Sequence, residues 1–459
     1  MNPHEIVEAA LSQRTVDAMT VICAEHSQTN LRWAANTLTT NGVMRSRDVT
    51  VVAVHGSGSG RATGVMSASV ADSSDLAAIV ARAEASARSA DPSPDAHDLV
   101  AGDAGDDFAE APAQTSPDVF SSFAPELGDW FGRARGHSIE LFGFAEHDIT
   151  TTYIGNSQGL RLRHAQPTGR VEITGKSHGR SRSTWAGRST RDFRDVDVPG
   201  LDEQVRTRLG WAERTLTLDP GRYEVLLPPS AVADLMVYLY WSSAARDAAD
   251  GRTVFSKPGG GTRVGDRLTQ SPVTLLSDPS YPGMECAPFV VAHASGSTES
   301  VFDNGLRLDR TAWIDGGELT ALGQTSHSAG LTGLPLTPMI DNLALEVAGS
   351  TSTTEQLIGS TERGLLLTTL WYIREVDPQT LLLTGLTRDG VYLVEGGEVV
   401  GAVNNFRFNE SPVDLLSRVV EATPTELSLP REWSDFFTRV AMPTLRVADF
   451  NMSTVSQAS

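Results

Sequence analysis

The sequence predicts an α+β protein with an N-terminal α/β domain and a large C-terminal β-rich domain. The chain has 459 residues, more than one ordinary hydrophobic core accommodates, which fits two or three domains. Its 41 glycines and 23 prolines separate many short runs of valine, threonine and leucine, a pattern typical of sheets with many turns. A hydrophobic fraction of 40% supplies enough apolar side chains for packed cores.

The first predicted domain covers residues 1–90 and is of the α/β type. A helix opens it, and alternating strands follow. Asn41 and Gly42 are predicted to form a hairpin turn, because Asn-Gly suits the positive φ angles of a two-residue loop. A second helix, with Ser73 or Ser74 as its N-cap, completes the unit.

Three further segments follow along the chain. Residues 91–118 are rich in proline, alanine, glycine and aspartate and predict an acidic, solvated linker or long loop. Residues 119–215 predict a middle segment, a helix followed by strands. Residues 216–459 predict the β-rich domain, with a helix capped by Ser230 and another helix near 412–422.

Charge and hydropathy exclude several classes of partner. The formal net charge is −20, and a surface of that sign repels phosphate backbones, so we expect no nucleic-acid partner. The longest apolar run, about seven residues at 235–241, is far shorter than a membrane span, and the N-terminus lacks a signal-peptide core. Cys23 and Cys286 form no CxxC pair, which favours a reducing compartment. We therefore expect a cytoplasmic protein.

Four short motifs resemble catalytic or ligand-binding sites, but each has a simpler structural interpretation. GNSQG (155–159) matches the nucleophile elbow around Ser157, yet the alternating LRLRH that follows predicts a strand and hence a hairpin turn. GSGSG (56–60) and GGG (259–261) lack the Lys-Ser/Thr of a phosphate loop and are predicted to be turns. HEIVE (4–8) has no second histidine and fits a helix start.

Histidines and arginines give two weaker candidates. No two of the ten histidines have the i,i+4 spacing of a helical metal site, although His293 and His327 could meet in the fold. The segment 178–194 is the basic stretch of an acidic chain and contains Trp185. It could bind an acidic partner, but a solvated strand whose arginines pair with nearby aspartates is the simpler interpretation.

The second half of the chain resembles the TldD/PmbA (TldE) family, and the NSQGLRLRH turn looks like the Asn-Ser-x-Gly turn of that family. The resemblance covers most of the chain, about residues 20 to 455, and rests on an ordered set of stretches rather than on one motif. These stretches are VFSKPGGGTRVGDRLTQSPVTLLSDP (254–279), STESVFDNGLRLDRTAWIDGGEL (298–319), PLTPMIDNLALEVAGSTSTTEQLIGSTERGLLLTTL (335–370), GVYLVEGGEVVGAV (390–403) and PTLRVADFNM (443–452).

The resemblance implies the α+β fold given above, of the TldD/PmbA type, and a cytosolic protease assembled from two homologous chains. The TldD-type chain carries zinc on an HExxxH motif with a distant cysteine ligand. Here the corresponding slots fall near Met236, Val237 and Trp241, and residues 230–255 contain no histidine, glutamate or cysteine. The late cysteine is also missing, since TELSLPREWSDFFTRVAMPTLRV (425–447) stands in its place.

The chain therefore resembles the PmbA/TldE-type member, which is expected to have no catalytic residues, no metal-ligating residues and no cofactor of its own. The first hypothesis is a non-catalytic subunit of a TldD-type zinc metallopeptidase that acts on unstructured peptides, with zinc in the TldD-type partner. The alternative is a free-standing peptide-binding or scaffolding protein, possibly homodimeric. A hydrolase that uses Ser157 is a third hypothesis.

Overall fold

The computed structural model describes residues 1–70 and 75–456. Ser73 and Ser74, the predicted N-cap candidates, lie outside the described residues, and the helix begins at Leu76 with Asp75 in the N-cap position. The helices are α1 Pro3–Ser12, α2 Leu76–Ser89, α3 Phe123–Gly136, α4 Val198–Trp211, α5 Pro229–Trp241, α6 Ala245–Ala249, α7 Ser326–Thr332, α8 Thr354–Gly359 and α9 Pro412–Ser417.

Strands form three sheets and account for most of the regular structure. They are β1 Ala18–Ala34, β2 Thr37–His55, β3 Ala62–Ser69, β4 Glu140–Asn156, β5 Arg161–Ser177, β6 Arg182–Thr190, β7 Thr215–Leu216, β8 Gly221–Leu227, β9 Val273–Ser277, β10 Thr311–Asp315, β11 Glu318–Leu319, β12 Leu343–Val347, β13 Arg363–Leu367, β14 Leu370–Asp377, β15 Leu382–Thr387, β16 Val391–Glu395, β17 Glu398–Val403, β18 Phe406–Glu410, β19 Val419–Ala422, β20 Glu426–Ser428, β21 Val440–Met442 and β22 Leu445–Val455. The predicted α+β class is confirmed.

The first sheet has six antiparallel strands in the order β3-β2-β1-β4-β5-β6. Strands β1–β3 come from the predicted segment 1–90 and strands β4–β6 from the predicted segment 119–215. The two segments therefore share one sheet. Residues 91–118 connect them as a long irregular segment. Leu99 and Phe108 of that segment are buried, and these contacts hold it against the body of the protein.

The predicted hairpin turn at Asn41-Gly42 is wrong. These residues lie inside β2, where Asn41 pairs with Leu31 of β1, and the chain reverses instead at Ala35 and Asn36, whose φ angles are 48° and 61°. The Asn36 side chain is buried and donates to the Ile139 carbonyl at 2.7 Å, so tertiary contacts stabilise the turn there. Asn tolerates left-handed φ, and the long register of β1 and β2 overrides the local Asn-Gly preference.

The C-terminal region contains a six-stranded sheet in the order β11-β10-β9-β12-β21-β20 and a ten-stranded sheet. The larger sheet runs β14-β15-β18-β22-β8-β13-β16-β17-β7, and β19 pairs with β22. Strand β22 thus lies between β18 and β8, far from both in sequence. The predicted helix near 412–422 is shorter than expected, because β19 begins at Val419.

Helix α5 lies in the largest hydrophobic core of the protein, which the C-terminal strands enclose. The prediction that Ser230 caps this helix is wrong: Pro228 is the N-cap and Pro229 is the first helical residue. Proline suits that position because its missing N–H would have no partner in the helix. The Ser230 hydroxyl is buried inside the first turn without a hydrogen-bond partner.

Candidate functional site at helix α5

Helix α5 carries the positions that the family resemblance assigns to a zinc motif. Its sequence, PSAVADLMVYLYW, is apolar on nearly every face, and nine of its residues are buried. A helix that is apolar all round must be enclosed by other elements. At its C-terminal end the Tyr240 hydroxyl donates to the Ile340 carbonyl at 2.9 Å and accepts from the Ile340 amide at 2.7 Å. This pair of bonds fixes the end of α5 against the chain at 338–341.

The three positions that were predicted to correspond to the zinc motif lie in two different environments. Met236 and Val237 are both 0% exposed and pack in the hydrophobic core. Trp241, the last residue of α5, is 38% exposed. The structure therefore does not bring the three side chains together at one accessible point, and it places thioether, isopropyl and indole groups where the motif would need imidazole and carboxylate.

The segment 431–439 lies against α5, although it is far away in sequence. The Trp241 ring is 5.2 Å from the Trp433 ring and 6.2 Å from the Phe437 ring, measured between centroids. Tyr238 is 5.7 Å from Trp433. This segment belongs to the stretch that stands in place of the late cysteine. The two elements that resemble the zinc-binding parts of the TldD-type chain are therefore in contact, and aromatic rings fill the contact.

Asp234 is a buried acid that the sequence reasoning did not select. Its side chain lies on α5, and one carboxyl oxygen accepts the Glu432 amide proton at 2.9 Å, while the other has no partner. Its backbone carbonyl accepts from the Trp433 indole at 2.8 Å. Burial raises the pKa of Asp234 well above its ordinary value, although the hydrogen bond from the Glu432 amide opposes the rise. An acid in the middle of an apolar helix was the available signal in the sequence.

Glu432 is the second acid near α5, and its carboxylate is already bound. It accepts the amide protons of Tyr372 at 3.0 Å and Ile373 at 3.1 Å, and it lies 3.3 Å from the Arg374 guanidinium. A protein zinc site needs three or four nitrogen, sulfur or oxygen donors. Asp234 and Glu432 are only two donors, and Glu432 is already bound, so the described residues around α5 do not fit zinc.

A groove runs between the first sheet and the C-terminal region, and its lining includes Met339 and Asp341, which flank the Ile340 backbone that Tyr240 of α5 binds. It consists of two adjoining cavities of about 830 and 470 Å³, which share His164, Phe289 and Leu308. Burial lowers the pKa of His164, which favours the neutral imidazole. Arg439 donates to the Thr168 hydroxyl of β5 at 2.9 Å and links the segment 431–439 to the floor of the groove.

The remaining sequence candidates occupy structural positions. Ser157 lies in the hairpin turn between β4 and β5, as predicted, and its hydroxyl accepts the Met19 amide proton at 3.1 Å. The 56–60 glycines form a turn between β2 and β3, and the HEIVE residues lie in α1. His293 is bonded to Thr50 of β2 at 3.0 Å. Within residues 1–70 and 75–456, no group of three or more His, Cys, Asp or Glu side chains could hold a metal ion.

The basic segment 178–194 uses Trp185 internally. Trp185 is buried, and its indole donates to Glu172 at 3.2 Å. The Arg431 guanidinium lies 5.4 Å from the Trp185 ring and 5.0 Å from the Trp371 ring, between the first sheet and the ten-stranded sheet. Trp185 is therefore part of the contact between the two halves of the chain, and it is not available to an acidic partner.

The fold and the α5 site together define a metallopeptidase-like frame without a metal-binding donor set among the residues described around that helix. The chain belongs to the PmbA/TldD metallopeptidase family, because the family model for the PmbA/TldA metallopeptidase C-terminal domain matches residues 220–454. No curated protein is similar enough to match this chain. None of the helices described is both long and apolar enough to span a bilayer.

Solved structures of the same fold match almost the whole chain. TldE from Thermococcus kodakarensis is 15% identical with a TM-score of 0.77, and the match covers 97% of this chain and 98% of that chain. A proposed modulator of a DNA gyrase from Thermotoga maritima is 15% identical with a TM-score of 0.76, covering 97% and 99%. A similar proposed modulator from Bacteroides thetaiotaomicron is 14% identical with a TM-score of 0.74, covering 98% of both chains. At these identities the likeness shows the shared fold.

Proposed function

We propose that this chain is the non-catalytic, TldE-like subunit of a cytoplasmic, heteromeric TldD-type zinc metallopeptidase that degrades or processes unstructured peptides. The observation that carries the proposal is the contact between α5 and the segment 431–439. The elements that would hold zinc and its activating glutamate meet there through Trp241, Trp433 and Phe437. The two acids at that contact, Asp234 and Glu432, are respectively buried and already bound to backbone amides, and no group of three or more described metal-ligating side chains lies there, which supports a role without zinc chemistry.

In this role the chain contributes shape rather than chemistry. The zinc and the glutamate base belong to a TldD-type partner that carries HExxxH. The groove beside α5 supplies part of the wall that admits an extended peptide, and free strand edges in a β-rich wall can bind a peptide backbone by strand addition. That mode of binding depends weakly on side chains, which suits a protease of unstructured segments.

The test is reconstitution with an HExxxH homologue encoded in the same genome. Each chain is purified alone and co-expressed, complexes are separated by size-exclusion chromatography, and cleavage of an unstructured peptide is followed. We expect a stable complex, and cleavage only by the mixture. Cleavage should disappear when the partner's HExxxH glutamate is replaced and persist with Trp241→Ala here, provided that the complex forms.

The outcomes separate the competing hypotheses. Cleavage by this chain alone would refute the proposal and return attention to Ser157. A failure to associate at micromolar concentration, together with peptide binding by this chain alone, would favour a free-standing peptide-binding or scaffolding protein. Loss of cleavage on Trp241→Ala in an intact complex would show that this chain takes part in the chemistry.

A further inference from the structure

A cavity of about 730 Å³ lies between helix α4 and the N-terminal end of α5. Pro228 and Pro229 line it, whereas Trp241 lies at the other end of α5, about 18 Å away along a helix of this length. The cavity shares no lining residue with the groove near the C-terminal end of α5. Its volume is in the range of small-molecule sites in proteins, so it is a candidate binding site separate from the zinc-motif positions and from the peptide groove.

One face of α4 forms a wall of this cavity. The helix packs Leu201, Val205 and Leu209 into the core that it shares with α3 and the first sheet. A second face, whose residues also recur every three or four positions, lines the cavity. That face consists of Gly200, Glu203, Gln204, Thr207, Arg208 and Trp211. An acid, an amide, a guanidinium and an indole therefore follow one another along the wall.

Arg208 places a positive charge in this wall without a carboxylate to balance it. Its only hydrogen bond to a described residue runs from Nη1 to the Trp185 carbonyl at 2.7 Å, and no carboxylate of the described chain lies within ion-pair distance. Burial lowers the pKa of Arg208 to about 10, which still leaves the guanidinium charged at neutral pH. Because a guanidinium pairs with a carboxylate through two parallel hydrogen bonds, Arg208 is suited to bind the carboxylate of a ligand.

Other polar groups of the cavity suit a cation. The Gln204 Oε1 atom is buried and accepts no hydrogen bond from a described residue. Glu203, Glu355 and Glu426 line the cavity, are exposed and form no ion pair with a described residue. Amide and carboxylate oxygens accept hydrogen bonds, and an ammonium group has three donors and no acceptor. The cavity therefore offers acceptors for an ammonium group as well as a donor for a carboxylate.

A ligand with a single charge fits this arrangement poorly. The glutamates of the cavity and the net charge of −20 repel a simple anion. A simple cation is repelled by Arg208 and leaves that charge unbalanced. A molecule with an ammonium group at one end and a carboxylate at the other satisfies both sets of groups.

The geometry of α4 sets the length of that molecule. Gln204 and Arg208 are one helical turn apart, so their side chains begin about 5–6 Å from each other. The ammonium and carboxylate of a free amino acid are attached to the same carbon atom, whereas a dipeptide separates its two Cα atoms by about 3.8 Å. An extended dipeptide therefore spans one turn. Trp211, Ile358 and Leu366 belong to one apolar cluster and line the same cavity, which provides a surface for an apolar side chain.

We propose that this cavity binds a dipeptide with free termini, whose carboxylate pairs with Arg208 and whose ammonium group is held by Glu203 and Gln204. The C-terminal side chain of the dipeptide lies against Trp211, which follows Arg208 along α4. Short peptides are the products that a peptidase releases, so this site is compatible with the proposed function. It does not rest on that function, because every group that carries it belongs to this chain.

The experiment is isothermal titration calorimetry of the purified full-length chain with alanyl-leucine and three related probes. We expect alanyl-leucine to bind with a Kd below about 1 mM. N-acetyl-alanyl-leucine lacks the ammonium group and alanyl-leucinamide lacks the carboxylate, so each should bind at least about tenfold more weakly through the loss of charge-assisted hydrogen bonds. Free leucine is too short to reach both ends of the site and should also bind at least about tenfold more weakly.

Substitutions on and beyond α4 locate the bound peptide. Arg208→Gln should weaken the binding of alanyl-leucine at least about tenfold and should make the chain bind alanyl-leucine and alanyl-leucinamide equally. Arg214→Gln removes the same charge from an exposed position that does not line the cavity, and this matched control should bind alanyl-leucine like the wild type. An equal loss in both variants would show an effect of net charge alone and would overturn the assignment to Arg208.

The comparison of the four probes on the wild type needs no substitution, so it keeps the test decisive if Arg208→Gln does not fold. The absence of alanyl-leucine binding at about 1 mM, or equal binding of leucine or of either capped probe, would overturn the proposal. A folded Arg208→Gln variant that binds alanyl-leucine like the wild type would overturn it as well. The titration uses this chain alone and measures no cleavage, so its result is independent of the HExxxH reconstitution that tests the proposed function.

Discussion

Replacing the buried acid of α5 with its neutral isostere should change how stability depends on pH. Asp234 is 0% exposed, and burial raises its pKa well above the ordinary value of 3.8. The folded protein therefore holds this proton more tightly than the unfolded chain. The resulting stability is fully present below the unfolded pKa, and it is lost as pH rises toward the folded pKa. The amide in Asp234→Asn cannot titrate, so this substitution removes the dependence.

The magnitude follows from linkage. Between the unfolded and folded pKa values, each pH unit removes up to about 1.4 kcal/mol of unfolding free energy from the wild type relative to Asp234→Asn. The variant keeps the oxygen that accepts the Glu432 amide proton but places an amide donor where the second carboxyl oxygen has no partner. The protonated carboxyl of the wild type also carries an unpartnered O–H at this oxygen, so the two proteins should be close in stability at pH 4. The variant should then gain on the wild type as pH rises.

The assay is urea unfolding of both proteins at pH 4, 5, 6, 7 and 8, compared as the difference between them at each pH. Groups common to both proteins cancel in that difference. Asp309→Asn, at an exposed position, is the matched control. A flat difference for Asp234→Asn would show that Asp234 titrates as an ordinary carboxyl, and the account of α5 as a closed apolar environment would fail.

Three further predictions concern the packing of α5, the binding of zinc and the role of Ser157. Met236→Ala should lower the unfolding free energy by about 2–5 kcal/mol, because it leaves a cavity in the core, whereas Trp241→Ala should lower it clearly less. Chemical denaturation measures both losses, and equal losses would contradict the burial of Met236. The purified chain should retain no stoichiometric zinc after dialysis, and one tightly held zinc per chain by metal analysis would refute the assessment of its donors. Ser157→Ala should cost about 0.5–1.5 kcal/mol through the lost bond to Met19 and leave any peptidase activity of the complex intact, whereas a hundredfold loss in a folded protein would restore the nucleophile hypothesis.

Local sequence signals predicted the elements that local forces determine. The helix of residues 3–12, the turn at Ser157 and the apolar helix α5 each follow from capping, turn chemistry or periodicity. The hairpin at Asn41-Gly42 failed because Asn36, bonded to a distant carbonyl, stabilises the reversal elsewhere. Its partner is 103 residues away, which no local rule can recognise.

The candidate site was predictable in part. The absence of ligand residues in α5 can be recognised in the sequence, as can the stretch that replaces the late cysteine. Their contact cannot, because the register that sets Trp433 against Trp241 arises from the packing of β20, β21 and α5. Asp234 is not apparent from the motif, which requires histidine, glutamate and cysteine, whereas the unusual state of an acid buried on an apolar helix follows from solvation energetics.

The place of β22 constrains how the protein is made in the cell. Strand β8 at 221–227 has β22, residues 445–455, as one of its two sheet neighbours. A ribosome that adds about 5–20 residues per second needs roughly 10–45 s to reach the end of β22 after it has completed β8. During that interval the nascent chain exposes an apolar strand edge at the centre of its largest sheet. Holdase chaperones that bind extended apolar segments are therefore expected to act on this chain while it is being translated, and stalling before residue 445 should leave a product that is degraded rather than folded.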